Sequence, residues 1–264
     1  TTTTTTTTTT NNCNAPATPV WSRLVTDAEP IHQGNGASQM PVEGAAQTRG
    51  VFSDGTGAIY VQAQHYVKKS PDENFIAKYN QAGGRERKMG VAVGSNQNLL
   101  AVDMNGSMYA VGVDDTNKKN MKTLLVQKYN GSFFLQWSES LPSLTPQGAV
   151  VDKVGDLLVS AESYVGDHAC VVLKYDGSGH LKWNKSIPKE DYYYRCSDLV
   201  TDTNLDIYLL KNTNDHLKRP IQSILYKLSS SHAGAILWSK EVGPHYTAFS
   251  LAVDAENYIY ITGN

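Results

Sequence analysis

The sequence has 264 residues and carries 23 basic against 25 acidic side chains, a formal net charge of −2. Charged residues make up only 18% of the chain, which argues against a nucleic-acid partner. Hydrophobic residues make up 40%, enough to bury a core, and no apolar run approaches the roughly 18 residues of a membrane-spanning helix.

The chain begins with a run of threonines. Residues 1–19 combine this run with Pro16 and Pro19, a composition typical of O-glycosylated stalks in secreted proteins, although an unmodified flexible linker has the same composition. We assign residues 1–19 to a Thr/Pro-rich N-terminal arm and residues 20–264 to a folded domain. The predicted O-glycosylation sites are Thr1, Thr2, Thr3, Thr4, Thr5, Thr6, Thr7, Thr8, Thr9 and Thr10.

Beyond the arm, one pattern recurs about every 50 residues. A short apolar segment ends in an aspartate, a turn follows, and a second apolar segment begins. A carboxylate at such a turn accepts hydrogen bonds from backbone amides two residues on, so we expect these aspartates to be structural. The acidic spacing at two of them resembles a calcium loop but lacks its full frame and terminal Glu. The repeat-defining aspartates are Asp54, Asp103, Asp152, Asp202 and Asp254.

Each unit also contains a lysine, then turn formers that predict a hairpin, then a tryptophan nine to eleven residues after the lysine. We expect the lysines to make hairpin or inter-sheet contacts and the tryptophans to pack between sheets. In the first unit Arg87 replaces the tryptophan, and an insertion spans residues 31–50. The lysines are Lys78, Lys128, Lys174 and Lys227, and the tryptophans are Trp21, Trp137, Trp183 and Trp238.

These landmarks predict four short strands in each unit, which we label a, b, c and d. Strand a ends at the aspartate, b follows the turn, c ends at the lysine, and d carries the tryptophan. No long segment shows a helical period. Repeated four-stranded sheets are typical of a β-propeller, in which radial stacking of the sheets hides their apolar faces. The predicted fold is therefore all-β, a β-propeller of about five four-stranded blades with a Thr-rich N-terminal arm.

Two segments carry a family resemblance. Residues 174–183 read K-Y-D-G-S-G-H-L-K-W and residues 258–263 read Y-I-Y-I-T-G. With the aspartate hairpins, they resemble the SBBP-type β-propeller repeat of bacterial surface and secreted proteins over roughly residues 20–264. The resemblance implies extracellular binding and scaffold modules with no shared catalytic residues. Arg87, the insertion, and the lack of Gly after several b strands depart from the family pattern.

The strand count leaves one blade incomplete. A d strand at Trp21, four complete units and a final a–b pair before Asn264 fall one strand short of five full blades. Three interpretations stay open. Residues around Asn12 supply strand c, so that both ends lock one blade; or the chain continues past Asn264; or the threonine arm, about 33 Å long if extended, reaches a neighbouring subunit. Threonine favours strands, which suits either pairing role.

Three cysteines forbid complete internal pairing. Cys170 opens a c strand and Cys196 precedes the next a strand, so a disulfide between adjacent blades is one arrangement of Cys13, Cys170 and Cys196. Cys13, in the arm, then either pairs with another chain or stays a free thiol. The acceptor tripeptides for N-glycosylation lie at Asn105, Asn130 and Asn184.

The sequence contains no nucleophile elbow, phosphate-binding loop or dinucleotide fingerprint, and its seven histidines are scattered. We therefore predict no catalytic residues, no metal site, no cofactor and no enzymatic activity. An enzyme such as a lyase or glycosidase, with axial carboxylates from different blades, is the third-ranked alternative.

The leading functional hypothesis is an extracellular or cell-surface, glycosylated structural or adhesive subunit that assembles through its threonine arm. Its expected partners are copies of itself or other surface proteins, with covalent glycans and with neither nucleic acid nor a membrane span. The alternative is a ligand- or glycan-binding module. In that case exposed aromatics such as Tyr192, Tyr193 and Tyr194 line the binding face.

Overall fold

A computed structural model of the chain describes residues 46–65, 73–90, 99–114, 122–163, 169–187, 193–214, 220–244 and 247–263. These residues form eighteen β-strands and contain no helix, so the predicted all-β class is confirmed. The predicted arm, with its threonines and Cys13, and the predicted strand at Trp21 lie outside the described residues.

The strands group in chain order into four antiparallel sheets of four strands and one sheet of two strands. In every sheet, strands that follow each other along the chain are hydrogen-bonded neighbours. Blade 1 comprises β1 (Ala46–Ser53), β2 (Ile59–His65), β3 (Glu73–Tyr79) and β4 (Arg85–Gly90). Blade 2 comprises β5 (Leu99–Val102), β6 (Met108–Asp114), β7 (Thr123–Tyr129) and β8 (Leu135–Pro142).

The next two blades repeat this meander, and the last sheet contains its first half. Blade 3 comprises β9 (Leu144–Val151), β10 (Leu157–Ser163), β11 (Cys170–Tyr175) and β12 (Leu181–Ile187). Blade 4 comprises β13 (Tyr193–Thr201), β14 (Ile207–Asn214), β15 (Pro220–Ser229) and β16 (Ala235–Pro244). Blade 5 comprises β17 (Ala248–Val253) and β18 (Ile259–Gly263). The predicted a, b, c and d strands are thus confirmed in all four complete sheets.

The turns between strands a and b share one hydrogen-bond pattern. In blade 1 the amide of Asp54 donates to the carbonyl of Ala58 (3.1 Å), and the amide of Gly57 donates to the carbonyl of Asp54 (3.2 Å). The residue at the position of Gly57 has a positive φ in all five turns, and it is Leu205 in blade 4 and Asn257 in blade 5. Turns this short force the two strands to pair antiparallel.

The hydrophobic core lies between the blades. Four apolar clusters each join one blade to the next along the chain. The cluster between blades 2 and 3 contains Tyr109 and Val111 of β6, Leu157 of β10 and Tyr175 of β11. Each such buried side chain contributes about 1.5–3 kcal/mol relative to leaving it in water. Strands b and c carry most of these residues, whereas the d strands β8 and β12 are largely exposed.

One further cluster belongs to blade 1. Its buried members are Val61 and Ala63 of β2 and Phe75, Ala77 and Tyr79 of β3. Alternate residues of the same strands pack on blade 2, so this cluster lies on the opposite face of the sheet. All of its described members come from blade 1, and we call this surface the outer face of blade 1.

Candidate functional site

The five repeat aspartates cap their turns. In each case Oδ1 accepts hydrogen bonds from the backbone amides two and four residues further on, at 2.8–3.1 Å. Asp54, for example, accepts from the amides of Thr56 and Ala58. One carboxylate oxygen of every aspartate is thus committed to the backbone, which leaves Oδ2 for a second partner.

A tyrosine on strand b provides that second partner in three blades. The hydroxyls of Tyr60, Tyr208 and Tyr260 donate to Oδ2 of Asp54, Asp202 and Asp254 at 3.0, 3.2 and 2.8 Å. Burial, reinforced by the hydrogen bond to Asp54 and its charge, raises the pKa of Tyr60, so this hydroxyl stays a donor. The sequence predicts the aspartates and the tyrosine segments separately, and it does not indicate this link between them.

Blade 3 lacks the tyrosine, and a lysine takes its place. Leu158 occupies the tyrosine position, and Lys174 Nζ lies 2.9 Å from Asp152 Oδ2. The same ammonium group lies 3.1 Å from Asp156 Oδ2 and 2.6 Å from the hydroxyl of Ser230 in blade 4. An ammonium group has three donors, so these three acceptors satisfy Lys174. The cluster joins blades 3 and 4 and leaves no unused proton donor on Lys174 for chemistry.

The other repeat lysines also make hairpin or inter-blade contacts. Lys227 Nζ lies 2.8 Å from Asp206 Oδ2 within blade 4, and Lys128 Nζ donates to the carbonyl of Gly177 in blade 3 at 2.9 Å. The second acids, Asp156 and Asp206, were not singled out as ion-pair partners from the sequence. The sequence feature that could identify them is an aspartate four residues after the repeat aspartate, where the other repeats have Ala, Ser or Tyr.

The three tryptophans that the structure describes pair with the lysines across strands c and d, and Trp137 lies between two blades. Its indole N–H donates to the carbonyl of Gly177 in blade 3 at 3.2 Å. Its ring lies 6.3 Å from the ring of Tyr175 in blade 3, at an interplanar angle of 29°. It also meets Tyr109 of its own blade edge-on, with 5.9 Å between centroids.

A disulfide joins Cys170 of β11 to Cys196 of β13, and both residues are buried. It therefore links blades 3 and 4, as the Lys174 cluster does at the other end of β11. Cys13 lies outside the described residues.

The three N-glycosylation asparagines occupy different environments. Asn105 is exposed in the a–b turn of blade 2, and Asn184 is exposed on strand β12. Asn130 is half-buried at the c–d turn of blade 2, where its side-chain oxygen accepts from the amides of Ser132 and Phe134 at 3.0 Å. Asn105 and Asn184 are thus the more accessible acceptors.

The last sheet presents an exposed aromatic surface. Tyr260 is 55% exposed, whereas the tyrosines at the same repeat position, Tyr60, Tyr109 and Tyr208, are 0%, 0% and 4% exposed. Phe249 and Tyr258 of the same sheet are also exposed. Among the described strands, β18 pairs with β17 alone. We call Phe249, Tyr258 and Tyr260, with the free edge of β18, the open side of blade 5.

Metal and membrane features were sought in the same residues. Within the described ranges, no group of three or more His, Cys, Asp or Glu side chains is arranged to hold a metal ion. No helix in those ranges is long and apolar enough to cross a membrane. Of the predicted aromatic face, Tyr193 and Tyr194 begin β13, and Tyr192 lies outside the described residues.

No protein-family model matches the chain, and no curated protein sequence matches it. Among solved structures, the β-propeller domain of the trilobed protease from Pyrococcus furiosus, described as having an open velcro topology, is similar. The TM-score is 0.55 at 10% identity, and the match covers 83% of this chain and 64% of that one. The Hadza microbial sialidase Hz136 matches with a TM-score of 0.46 at 12% identity, over 76% of this chain and 47% of the sialidase.

These likenesses correct one prediction. The prediction that the protein is not an enzyme is contradicted, because the propeller domain that is similar to this chain belongs to a protein described as a protease. The absence of familiar catalytic motifs is therefore no argument against activity. At such low identity the likeness to the protease domain shows the fold alone. It confirms a β-propeller, with which the four complete blades and the half blade agree.

Proposed function

We propose that this chain is an extracellular, glycosylated β-propeller subunit of the SBBP type, with a structural or adhesive role, which assembles with copies of itself through its threonine arm. The observation that carries the proposal is the open side of blade 5. A free strand edge with exposed aromatic residues is a template for a strand from another chain. Native proteins protect such edges unless they use them.

The threonine arm has the properties expected of a strand that pairs with the edge of β18. Ten consecutive threonines are β-branched, uncharged and free of proline, and extended they reach about 33 Å. Among the described strands, none occupies the c position next to β18. An arm donated by a neighbouring copy fills that position and covers Tyr260.

The location outside the cell is supported by the disulfide and the acceptor asparagines. Disulfides persist in oxidising compartments and are rare in the cytosol. The Cys170–Cys196 bond is buried between two blades. Asn105 and Asn184 are exposed where an oligosaccharide has room.

Light scattering of the full chain tests assembly. We expect the average mass to rise with protein concentration, and a variant lacking residues 1–10 to remain monomeric. A matched control replaces the ten threonines by ten serines, which keeps the length and hydroxyl groups but removes the β-branching. The serine variant should assemble more weakly than the native arm. A full chain that stays monomeric at all concentrations, or a truncated chain that assembles equally well, contradicts the proposal.

The exposed aromatic residues also favour the second candidate, a glycan- or ligand-binding module. The protein prepared for light scattering also distinguishes the assembling subunit from the binding module. A monodisperse monomer that binds an oligosaccharide on a glycan array, and loses that binding in the Tyr258→Ala variant, supports the binding module and contradicts the assembly proposal.

A further inference from the structure

The turn between strands c and d contains one residue with a positive φ in blades 1, 2 and 3, namely Gly83, Phe133 and Gly179, and two in blade 4, Ala233 and Gly234. In blades 1, 2 and 3 the turns share their hydrogen bonds. The amide of this residue donates to the carbonyl three positions earlier, which belongs to Asn80, Asn130 or Asp176. Gly83, Phe133 and Gly179 are therefore structurally equivalent.

A tryptophan of the preceding blade explains two of the glycines. A Cβ at Gly179 of blade 3 would lie 2.8 Å from the ring of Trp137 in blade 2. A Cβ at Gly234 of blade 4 would lie 3.0 Å from the ring of Trp183 in blade 3. Both distances are too short for an ordinary carbon contact, so only glycine fits beneath the indole.

The exception occurs where the tryptophan is missing. Blade 2 has Phe133 at this position, and the preceding blade has Arg87 in place of the tryptophan. A bulky side chain at a positive φ is strained and uncommon, so glycine is the default even there. A side chain is nevertheless present at the one interface without an indole. The turn residue is thus a glycine where an indole of the preceding blade lies over it, and it carries a side chain where that blade has no indole.

Blade 1 has glycine at this position, as blade 3 has beneath Trp137, so the turn is compatible with a tryptophan over the outer face of blade 1. Gly83 is buried. Tyr79 occupies the position of Tyr175, the residue on which Trp137 stacks in blade 3. The five buried residues of the outer face are at most 7% exposed. Lys88 of the same sheet lies over the ring of Phe75, 4.3 Å from its centroid. Since one lysine does not account for the burial of all five residues, we infer a covering group from outside blade 1 as well.

We propose that Trp21 of the same chain covers the outer face of blade 1, over Gly83 and against Tyr79. The chain has four tryptophans, and the other three lie on the d strands of blades 2, 3 and 4. The local sequence matches as well, because Trp21-Ser22-Arg23 repeats the order of Trp238-Ser239-Lys240. This match agrees with the d strand that the sequence predicts at Trp21.

This inference does not depend on assembly. It agrees with the predicted start of the folded domain at residue 20. It does not assign a strand to the c position next to β18, which the proposed function needs. If assembly fails, Trp21 is still expected on blade 1, so the two proposals are tested separately.

A double-mutant cycle tests the contact between positions 21 and 83. Gly83→Ala is made in the wild type and in a Trp21→Ala background, and urea unfolding is followed by circular dichroism. Gly155→Ala is the matched control, because Gly155 also has a positive φ but has open space around its Cβ position. In the wild type, Gly83→Ala should reduce the folding equilibrium constant about tenfold more than Gly155→Ala does, since it adds overpacking to backbone strain.

In the Trp21→Ala background the cost of Gly83→Ala should fall to that of Gly155→Ala. Equal costs in both backgrounds overturn the proposal. A coupling that disappears on dilution, or occurs only in an oligomer, identifies a second copy as the source of the covering group and overturns it as well.

A fluorescence measurement keeps the proposal testable if Trp21→Ala does not fold. The difference between the emission spectra of the wild type and the Trp21→Phe variant isolates the contribution of Trp21. We expect this difference spectrum to be blue-shifted and poorly quenched by acrylamide, as for an indole between two sheets. A solvent-like emission that acrylamide quenches as readily as free tryptophan overturns the proposal.

Discussion

Lys174 Nζ lies 2.9 Å from the carboxylate of Asp152, and the exposed fraction of Lys174 is only 3%. The ion pair extends to Asp156 and to Ser230 of the next blade, so it joins two sheets as well as two strands. A buried pair of this kind gains little over an apolar pair of the same shape, but the removal of one partner leaves the other charge buried without compensation.

We therefore expect Lys174→Met to lower the free energy of unfolding by about 3–5 kcal/mol. The matched control is Lys182→Met, which removes another lysine bound to Asp156 but from a half-exposed position. Exposed ion pairs contribute about 0–1 kcal/mol, so the control should unfold close to the wild type. Urea unfolding curves of both variants provide the comparison. If both variants lose the same free energy of unfolding, removing Lys174 does not leave a buried carboxylate without a partner, and the prediction is wrong.

The disulfide between Cys170 and Cys196 closes a loop of 26 residues and joins blades 3 and 4. Loop closure of this length stabilises the folded state by about 3 kcal/mol. We expect the Cys170→Ala/Cys196→Ala variant to lose roughly this amount and to become insensitive to reductant. Cys13→Ser should keep the wild-type unfolding midpoint and its sensitivity to reductant. A wild-type midpoint that does not change under reducing conditions, with complete reduction verified by mass, contradicts this prediction.

The fold could be predicted because its signals are local and repeated. Each turn is determined by residues a few positions apart, such as Asp152 with Asp156, and the repeat period places them in equivalent sites. The interfaces could not be read in the same way. The contact of Trp137 with Gly177 joins residues 40 positions apart, and no local pattern shows which blade faces which.

The catalytic prediction failed for a related reason. A propeller brings side chains together from different blades, so an active site in this fold leaves no motif along the chain. The absence of a nucleophile elbow is therefore weak evidence against catalysis in this fold. The disulfide, in contrast, is one of the arrangements that the sequence leaves open, and the structure places Cys170 at the start of β11 and Cys196 within β13 of the adjacent blade.

Acid should weaken the a–b turn of blade 1. Burial raises the pKa of Asp54, but hydrogen bonds from Thr56, from the amide of Ala58 and from Tyr60 outweigh it, so the pKa lies below its ordinary value of 3.8. A carboxyl group with a lowered folded-state pKa contributes stability above its unfolded value, and this contribution is lost as the pH falls through the folded value. The loss should begin as the pH drops below 3.8.

Asp54→Asn separates the charge from the cap. An asparagine caps the c–d turn of blade 2, where Asn130 accepts the same two amide hydrogen bonds. Asp54→Asn should thus lose little stability at neutral pH, whereas Asp54→Ala should lose about 1 kcal/mol. The Asn variant should show a smaller decrease in stability on acidification than the wild type. Identical acid dependence of the two proteins, measured by thermal unfolding across the acidic range, would contradict the assignment.

Tyr208 and Tyr260 occupy the same position in blades 4 and 5 and donate to equivalent aspartates, but one is buried and the other is half-exposed. The cost of their removal should differ accordingly. Tyr208→Ala deletes a buried aromatic ring and should cost about 3–5 kcal/mol. Tyr260→Ala should cost about 0.5 kcal/mol in the monomer, because its ring already contacts water.

In an assembled sample, the costs of Tyr208→Ala and Tyr260→Ala should be more alike. A strand donated to the edge of β18 covers Tyr260, so Tyr260→Ala should then shift the monomer–oligomer equilibrium toward monomer and leave the monomer's unfolding curve nearly unchanged. Sedimentation velocity over a range of concentrations, with unfolding measured at the lowest one, distinguishes the two effects. A Tyr260→Ala variant as unstable as Tyr208→Ala in the monomer would mean that the open side of blade 5 is covered by the same chain. The surface proposed for assembly would then not exist.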